Sequence, residues 1–185
     1  AADGLPDERV VSVTLDGEAA RLLVTSLPSG IGSNDIGLDR GQIGKQYIAR
    51  FRRAGDRLLL MADNTRYVAN SSDADERRAA EDAFATSVLW AGPIIKRASQ
   101  PGEKPTVLVD IAPYLTGDRH GIATSLAGRD GKGSYRVDPE RSVALPETAR
   151  SFPDNSEFEA LLTFSGDGKN EQANQVAVDP TALSL

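Results

Sequence analysis

His120 is the only histidine in the chain, and histidine is the usual general base and metal ligand near neutral pH. A zinc site of the His-Glu-x-x-His type needs two histidines on one helix face, so this sequence cannot build one by itself. A Ser-His-Asp triad could use His120, but no Gly-x-Ser-x-Gly segment exposes a nucleophilic serine. We therefore interpret His120 as an ordinary loop histidine rather than a catalytic residue.

Cysteine is absent, which removes disulfides, cysteine nucleophiles and thiolate metal ligands together. Residues 30–35 share two glycines with the dinucleotide-binding fingerprint, but Asp35 stands where the third glycine should be, and no strand-to-helix pattern surrounds them. No Gly-Lys-Ser/Thr phosphate loop and no EF-hand spacing occurs. The sequence therefore predicts no catalytic, metal-binding or cofactor-binding residue, and no enzyme activity of its own.

Asp35, Asp39 and Arg40 share a long glycine-rich segment, residues 27–45, which contains five glycines. Loops of this length are uncommon in compact domains and are usually functional or mobile. Aspartates in such loops most often hydrogen-bond to the nearby backbone, and a partner interface or a cation or ligand site are the alternatives. We take these three residues as candidate interface residues.

The elements that position these residues are predicted to form an α+β fold, mostly antiparallel, in a single domain over residues 1–185. The net charge is 21 − 27 = −6, which argues against a nucleic-acid partner because phosphate binding needs a basic surface. No apolar run approaches the roughly 20 residues that a transmembrane helix needs.

Apolar runs between turn residues predict a hairpin and a meander. Asp16-Gly17 between the runs 10–15 and 19–26 predicts a hairpin, because both turn positions favour positive φ. The runs 46–53, 57–62 and 65–69 predict a three-stranded meander.

One helix is clear from the sequence, over residues 72–85, with Ser72 as its N-cap and acidic residues in its first turn. Its buried stripe is predicted to be Ala80, Ala83 and Phe84.

Residues 157–164 predict the clearest amphipathic strand. Its buried face is predicted to carry Phe158, Ala160, Leu162 and Phe164, and its solvent face Glu157, Glu159 and Thr163. Residues 165–170 then predict a turn, and residues 175–178 a returning strand.

Several stretches together carry a family resemblance. They are Gly-Ile-Gly-Ser-Asn-Asp-Ile-Gly-Leu-Asp-Arg-Gly-Gln-Ile-Gly over residues 30–44, Arg-Phe-Arg-Arg over 50–53, Asp-Asn-Thr-Arg-Tyr over 63–67, Asp-Ala-Phe-Ala-Thr-Ser-Val-Leu-Trp over 82–90, Val-Leu-Val-Asp-Ile over 107–111, and Phe-Pro-Asp-Asn-Ser-Glu-Phe-Glu-Ala over 152–160, running into Leu-Thr-Phe over 162–164. They resemble the domain of unknown function that precedes the met-zincin catalytic domain in exported bacterial zinc-dependent metalloproteases.

This resemblance implies a bacterial, extracytoplasmic protein, whether periplasmic, outer-membrane-associated or secreted. It implies a downstream catalytic domain in the same polypeptide as the partner of this chain. The zinc ligands of the family belong to that domain, in an extended His-Glu-x-x-His motif, so zinc would be the cofactor of the parent protein and none would bind here. The polar start, residues 1–8, contains no signal peptide, and we expect the chain to be excised from a longer multidomain protein.

Asp167 offers a second, smaller resemblance. Phe-Ser-Gly-Asp over residues 164–167 is similar to the Phe-x-Gly-Asp stretch by which astacin propeptides place an aspartate on the catalytic zinc. A carboxylate there would displace the attacking water from the open coordination position. A zinc-capping Asp167 is thus one hypothesis, and a simple hairpin turn is the favoured one.

The leading functional prediction is a non-catalytic N-terminal accessory domain, acting as a scaffold or a gate for the downstream protease. The alternative is a stand-alone extracytoplasmic module that binds peptide or glycan, through a sheet edge or through residues 27–45. A hydrolase that uses His120 is the third and weakest prediction.

Overall fold

The structure of the chain, a computed structural model, describes residues 10–15, 19–66, 71–97, 102–128 and 133–185. Its strands are β1 (Val10–Thr14), β2 (Arg21–Ser26), β3 (Ile43–Ala54), β4 (Arg57–Ala62), β5 (Ser87–Pro93), β6 (Lys96–Arg97), β7 (Thr106–Asp110), β8 (Tyr135–Val137), β9 (Val143–Ser151), β10 (Ser156–Leu161), β11 (Thr163–Gly166) and β12 (Ala182–Ser184). Its helices are α1 (Ala74–Asp82), α2 (Ala112–Leu115), α3 (Ile122–Leu126) and α4 (Glu171–Val176). The strand pairs with a defined register are antiparallel, as the mostly antiparallel prediction requires, but three short helices accompany the one that was clear from the sequence.

Two compact units make up the chain, and each is built from separate segments. The first contains Val10–Leu23 and Gln46–Asp110, and the second contains Val24–Lys45 and Ile111–Leu185. The single domain over residues 1–185 stays a prediction, because interleaved segments are compatible with one domain or with two.

The first unit buries aliphatic side chains from two sheets. In the sheet of order β1-β7-β6, Val13 lies opposite Val107 in the register, and both are buried. In the sheet of order β2-β3-β4-β5, Leu58 and Leu60 of β4 are buried as the period of two residues requires. Val13, Val107 and Leu58 share one core cluster with Val109.

The second unit has its core around Phe164, in the middle strand of the sheet of order β12-β11-β8. Phe164 lies opposite Leu183 on one side and Val137 on the other, and it is fully buried. Leu38 and Leu126 are the other large side chains of this core with almost no exposed surface. β9 and β10 form a separate two-stranded sheet.

The hairpin predicted between residues 10–15 and 19–26 is wrong. Both runs are strands, but β1 pairs with β7 and β2 lies in the sheet with β3. The Asp16-Gly17 turn itself lies outside the described residues. Alternation predicts a strand with one buried face and does not specify its neighbour, which here comes from a distant part of the sequence.

The three-stranded meander exists, but its third strand is not the predicted one. β3 and β4 pair as expected, and the next neighbour of β4 is β5. Thr65 and Arg66 form a bend rather than a strand, and residues 67–69 lie outside the described residues. Helix α1 is therefore inserted between two adjacent strands of the sheet.

The predicted helix over residues 72–85 is shorter in the structure and is capped by a different residue. The Asp73 carboxylate, not Ser72, accepts a hydrogen bond from the backbone N–H of Asp75 at 2.8 Å. The predicted buried stripe is also wrong, because Ala83 and Phe84 are exposed and Ala80 is only partly buried.

The predicted strand over residues 157–164 is divided into β10 and β11 at Leu162. Phe158 is exposed although it was placed on the buried face, and Thr163 is buried although it was placed on the solvent face. Thr163 is satisfied there, since its hydroxyl donates to the carbonyl of Arg141 at 2.7 Å and bonds to the Ser184 hydroxyl at 2.9 Å.

The turn predicted over residues 165–170 does not lead into a returning strand at 175–178. Helix α4 follows instead, with Asn170 as its N-cap, and the strand that returns along β11 is β12. The polar residues that favoured a hairpin turn here start a helix.

Candidate functional site

The glycine-rich segment, residues 27–45, belongs to the second unit, and two of its side chains anchor it in the core of that unit. Leu27 and Leu38 are buried in the core of that unit. The backbone N–H of Leu27 donates to the carbonyl of Gln42 at 3.0 Å, and that of Ile31 donates to the carbonyl of Leu38 at 3.0 Å. The segment is thus an ordered platform with its own hydrogen bonds.

Gly30 is required by close packing within this segment. A Cβ atom at Gly30 would lie 2.8 Å from the backbone nitrogen of Arg40 and 3.0 Å from the carbonyl oxygen of Leu38. Gly37 and Gly41 turn the chain with φ angles of 75° and 82°, which side-chain-bearing residues rarely adopt. Glycine is therefore required at these three positions, by close packing at Gly30 and by the backbone conformation at Gly37 and Gly41.

Asp35, Asp39 and Arg40 are all exposed on this platform. Within the described part of the chain, the structure gives their side chains no hydrogen bond and no ion pair. The local backbone bonds that usually explain aspartates in such loops are made here by main-chain groups, including Gln42 N–H to the carbonyl of Asp39 at 3.1 Å. The three side chains are accessible to a partner, and their interface role stays a prediction.

His120 lies in the loop between α2 and α3, as its interpretation as a loop histidine expects. Its Nδ1 is 3.3 Å from the Thr25 hydroxyl, and both groups crowd Gly44, where a Cβ would come within 2.6 Å of each. Partial burial lowers the pKa of His120, and the negative charge of Asp118 opposes this shift. The imidazole therefore packs against Thr25 of β2 and Gly44 of β3.

Asp118, the acidic neighbour of His120, hydrogen-bonds to the backbone through both of its carboxylate oxygens. Its carboxylate accepts hydrogen bonds from the N–H groups of Gly121, Ile122 and Ala123 at 2.8, 2.8 and 2.9 Å. These are the donors that the start of α3 leaves without intrahelical partners. Asp118 thus shapes the loop of His120 and is not oriented as the third member of a triad.

Asp167 likewise makes hydrogen bonds and an ion pair with residues of this chain. Its Oδ1 accepts hydrogen bonds from the backbone N–H groups of Ser134 and Lys169, each at 3.2 Å, and its Oδ2 lies 3.4 Å from the Lys169 ammonium. The Ser134 hydrogen bond is the main cause that lowers the pKa of Asp167. A zinc-capping role stays a prediction, and it would require Asp167 to leave these contacts.

A polar cluster that sequence reasoning missed joins Asp138, Arg141 and Ser165. Asp138 Oδ2 accepts from the Ser165 hydroxyl, from Arg141 Nε and from Arg141 Nη2, each at 2.8 Å. Arg141 Nη2 also donates to the Ser165 hydroxyl at 2.8 Å. The Asp-Pro pair at residues 138–139 marks a turn in the sequence, but nothing local indicates that Ser165 meets it.

This cluster predicts a specific acid dependence of stability. Hydrogen bonds from Ser165 and then Arg141 lower the pKa of Asp138 from 3.8 to about 2. A depressed native pKa stabilises the fold above the unfolded pKa, and that contribution is lost as pH falls from about 4 towards 2. We expect the urea midpoint of the wild type to fall over this window, and the Asp138→Asn variant to lose less of its midpoint over the same window.

Asp154→Asn is the matched control, because Asp154 is exposed and the structure gives its side chain no hydrogen bond within the described ranges. It should reproduce the wild-type pH profile. An Asp138→Asn profile that falls as steeply as the wild type would contradict the role assigned to this carboxylate.

The β9–β10 hairpin is the most irregular exposed element of the second unit. Glu157 lies opposite Arg150, but Glu159 lies opposite Leu145, so four residues of β9 face Phe158 alone. This bulge opens an apolar hollow of about 20 Å³ against α2, lined by Ile111, Ala112, Leu115, Ala144, Leu145, Pro146, Ala149, Phe158 and Glu159.

Apolar side chains are also exposed on this hairpin. Leu161 and Val143 lie directly opposite each other in the register and are 43% and 51% exposed. Phe152, in the connecting loop, is 49% exposed. These exposed apolar groups make the hairpin a candidate interaction surface.

The described ranges contain neither a metal-binding cluster nor a membrane-spanning helix. No group of three or more His, Cys, Asp or Glu side chains there is arranged to hold a metal ion. No helix in those ranges is both long enough and apolar enough to span a membrane.

Comparison with known proteins gives one positive result. A family model described as Domain of unknown function (DUF5117) matches residues 41–183. No curated protein and no solved structure gives a significant match.

Proposed function

We propose, from the premise that this chain belongs to the family Domain of unknown function (DUF5117), that it is a non-catalytic accessory domain of a larger protein. That protein is an exported bacterial zinc-dependent metalloprotease, whose zinc site lies in a downstream domain of the same polypeptide. The setting is extracytoplasmic, and zinc is the cofactor of the parent protein rather than of this chain. The protease part of the proposal rests on the resemblance of the stretches that include residues 30–44 and 152–164.

The non-catalytic role is supported by the contacts of three reactive side chains, each of which contacts its own chain. His120 packs against Thr25 and Gly44, Asp118 accepts three backbone N–H groups, and Asp167 accepts two. A general base must face a substrate with a free lone pair. These groups face their own chain instead, which supports a structural role for each.

Peptide mapping of the native polypeptide by mass spectrometry tests the proposal directly. We expect peptides that continue past Leu185 into a segment with a His-Glu-x-x-His motif. A native polypeptide that ends near Leu185 would overturn the protease proposal for this molecule.

Between the two accessory roles, scaffold and gate, the contacts of Asp167 favour the scaffold. Asp167 would lose its hydrogen bonds from Ser134 and Lys169 if it moved onto a zinc ion. We expect Asp167→Ala in the full-length protein to leave basal proteolysis unchanged. An increase in basal proteolysis would instead support the gate.

The second candidate is a stand-alone module that binds peptide or glycan, and the ordered glycine-rich segment favours it. Asp35, Asp39 and Arg40 are held out from a platform that is itself anchored by buried leucines. Binding residues are commonly displayed on loops above a rigid scaffold. A ligand that raises the melting temperature of the wild type, but not of the Asp35→Ala/Asp39→Ala variant, would support this candidate.

A further inference from the structure

Strand β10 has an edge that no other strand of the described residues covers. Among the residues that the structure describes, it pairs in a sheet only with β9. Its side chains from Ser156 to Glu159 and at Leu161 are exposed, and Ala160 alone is partly buried. An uncovered edge presents backbone N–H and C=O groups in a row, which is a template for one more strand.

The opposite edge of the same sheet, along β9, is a poor template. Pro146 lies inside β9 and has no N–H to donate. Residues 146–149 bulge out of the register opposite Phe158. Proline and bulges are the usual protection of an edge against further pairing, and β10 has no proline. The free edge of this sheet is therefore the edge of β10.

The two faces of β10 offer different side chains to an added strand. Because successive side chains of a strand alternate, Leu161 lies on the face of Glu157 and Glu159, and Phe158 lies on the opposite face. Phe158 is 37% exposed and lies at the rim of the small hollow against α2. In strand addition, main-chain hydrogen bonds supply the affinity and such positions supply the selectivity.

The negative charge of the hairpin indicates the charge of a strand that could bind beside it. Its acidic residues are Glu147, Asp154, Glu157 and Glu159, and its one basic residue is Arg150. Glu157 and Glu159 lie on β10 itself and are exposed. Residues opposite each other on neighbouring strands attract when their charges are opposite and repel when they are alike. A strand with basic side chains therefore fits beside β10.

A second copy of this chain fits poorly at the same edge. Antiparallel pairing of two β10 strands centred on Phe158 would place each Glu157 opposite Glu159 of the other copy. Both resulting cross-strand pairs would be of like charge. The same glutamates that discourage self-pairing would attract a basic strand.

We propose that the free edge of β10 binds an extended segment of a separate polypeptide, in which lysine or arginine alternates with apolar residues, by strand addition. The added strand forms backbone hydrogen bonds along β10 and pairs its basic side chains with Glu157 and Glu159. This inference does not depend on the protease proposal, because it concerns a partner in another chain.

Fluorescence anisotropy with the 185-residue chain tests this proposal. The probe is a labelled peptide of about eight residues in which lysine and valine alternate. One comparison peptide alternates glutamate and valine, and another is the lysine peptide with alternate backbone amides N-methylated. We expect the lysine peptide to bind, and each comparison peptide to bind at least about tenfold more weakly.

The decisive variant is Glu157→Lys/Glu159→Lys, with Asp56→Lys/Glu140→Lys as its matched control. Both variants reverse two exposed carboxylates, and circular dichroism checks that each is folded. The β10 variant should bind the lysine peptide about tenfold more weakly and should come to prefer the glutamate peptide, whereas the control should bind the lysine peptide like the wild type.

Amide hydrogen exchange supplies the site-specific measurement. Bound peptide should slow exchange in Ser156–Leu161. The proposal is overturned by no binding of the lysine peptide, by equal binding of the N-methylated peptide, by an unchanged affinity in the β10 variant, or by protection confined to other residues. A wild-type dimer in sedimentation equilibrium with protected β10 amides would also overturn it, since the edge would then be occupied by a second copy.

Discussion

We expect the Phe164→Ala variant to lose about 3–5 kcal/mol of its free energy of unfolding, the range typical of a large aromatic side chain removed from a core. Phe164 is fully buried in the middle strand of its sheet, between Leu183 and Val137. Its removal exposes apolar surface and leaves a cavity that the two flanking strands cannot close without shifting their register. Urea unfolding followed by far-ultraviolet circular dichroism measures the loss.

Phe158→Ala is the matched control, because it makes the same chemical change at a site that is 37% exposed. We expect it to lose only about 1 kcal/mol, since less surface leaves water and no closed cavity forms. Phe164→Leu should fall between the two and keeps the comparison possible if Phe164→Ala does not fold. Equal losses in the two alanine variants would contradict the core assigned to the second unit.

We expect the Asn170→Ala variant to lose about 2–4 kcal/mol, as the sum of a lost helix cap and an unsatisfied buried carbonyl. Asn170 is only 4% exposed. Its Oδ1 accepts from the backbone N–H of Ala173 at 3.0 Å, which caps α4, and its Nδ2 donates to the carbonyl of Leu126 at 2.8 Å. One side chain thus joins the start of α4 to the end of α3.

Two further variants separate these contributions. Asn170→Asp keeps the acceptor that caps α4 but loses the donor to Leu126. It also places a buried charge beside a carbonyl, so it should be destabilised as well. Asn174→Ala removes the same amide from an exposed site on α4 and should change the unfolding free energy by less than about 0.5 kcal/mol. An Asn170→Ala variant as stable as Asn174→Ala would show that the buried amide contributes nothing.

Local patterns predicted those elements whose stability is decided locally. β4 has the predicted bounds because five of its six residues are apolar and turn residues lie on both sides of the run. The existence of α1 was also predicted, since its acidic first turn and polar surface favour a helix without help from the core. Its expected buried stripe failed because burial depends on tertiary packing, and Phe84 stays 39% exposed.

Strand partners and the division of strands could not be predicted in this way. β1 alternates correctly, yet its neighbour β7 lies far along the sequence, and alternation carries no information about that choice. No strand was predicted over β9. Pro146 argues locally against one, although an edge strand with a bulge accommodates it. Asn170 favoured a turn by its residue type, and only the carbonyl of Leu126 gives it a second role in the fold.

The sequence by itself determined the chemical inventory of this protein. A chain with one histidine and no cysteine cannot form a two-histidine zinc motif or a thiolate site, whatever its fold, because those sites require residues that it does not contain. Its glycine-rich segment was likewise recognisable from the sequence, since glycine in such numbers marks unusual backbone conformations.

Only the tertiary structure decided which contacts these residues make. It directed Asp118 to three backbone N–H groups and brought Ser165 to Asp138. It also left one edge of β10 without a neighbouring strand among the described residues. Each of these outcomes depends on contacts between residues that are not patterned locally, and such contacts are decided by packing in three dimensions.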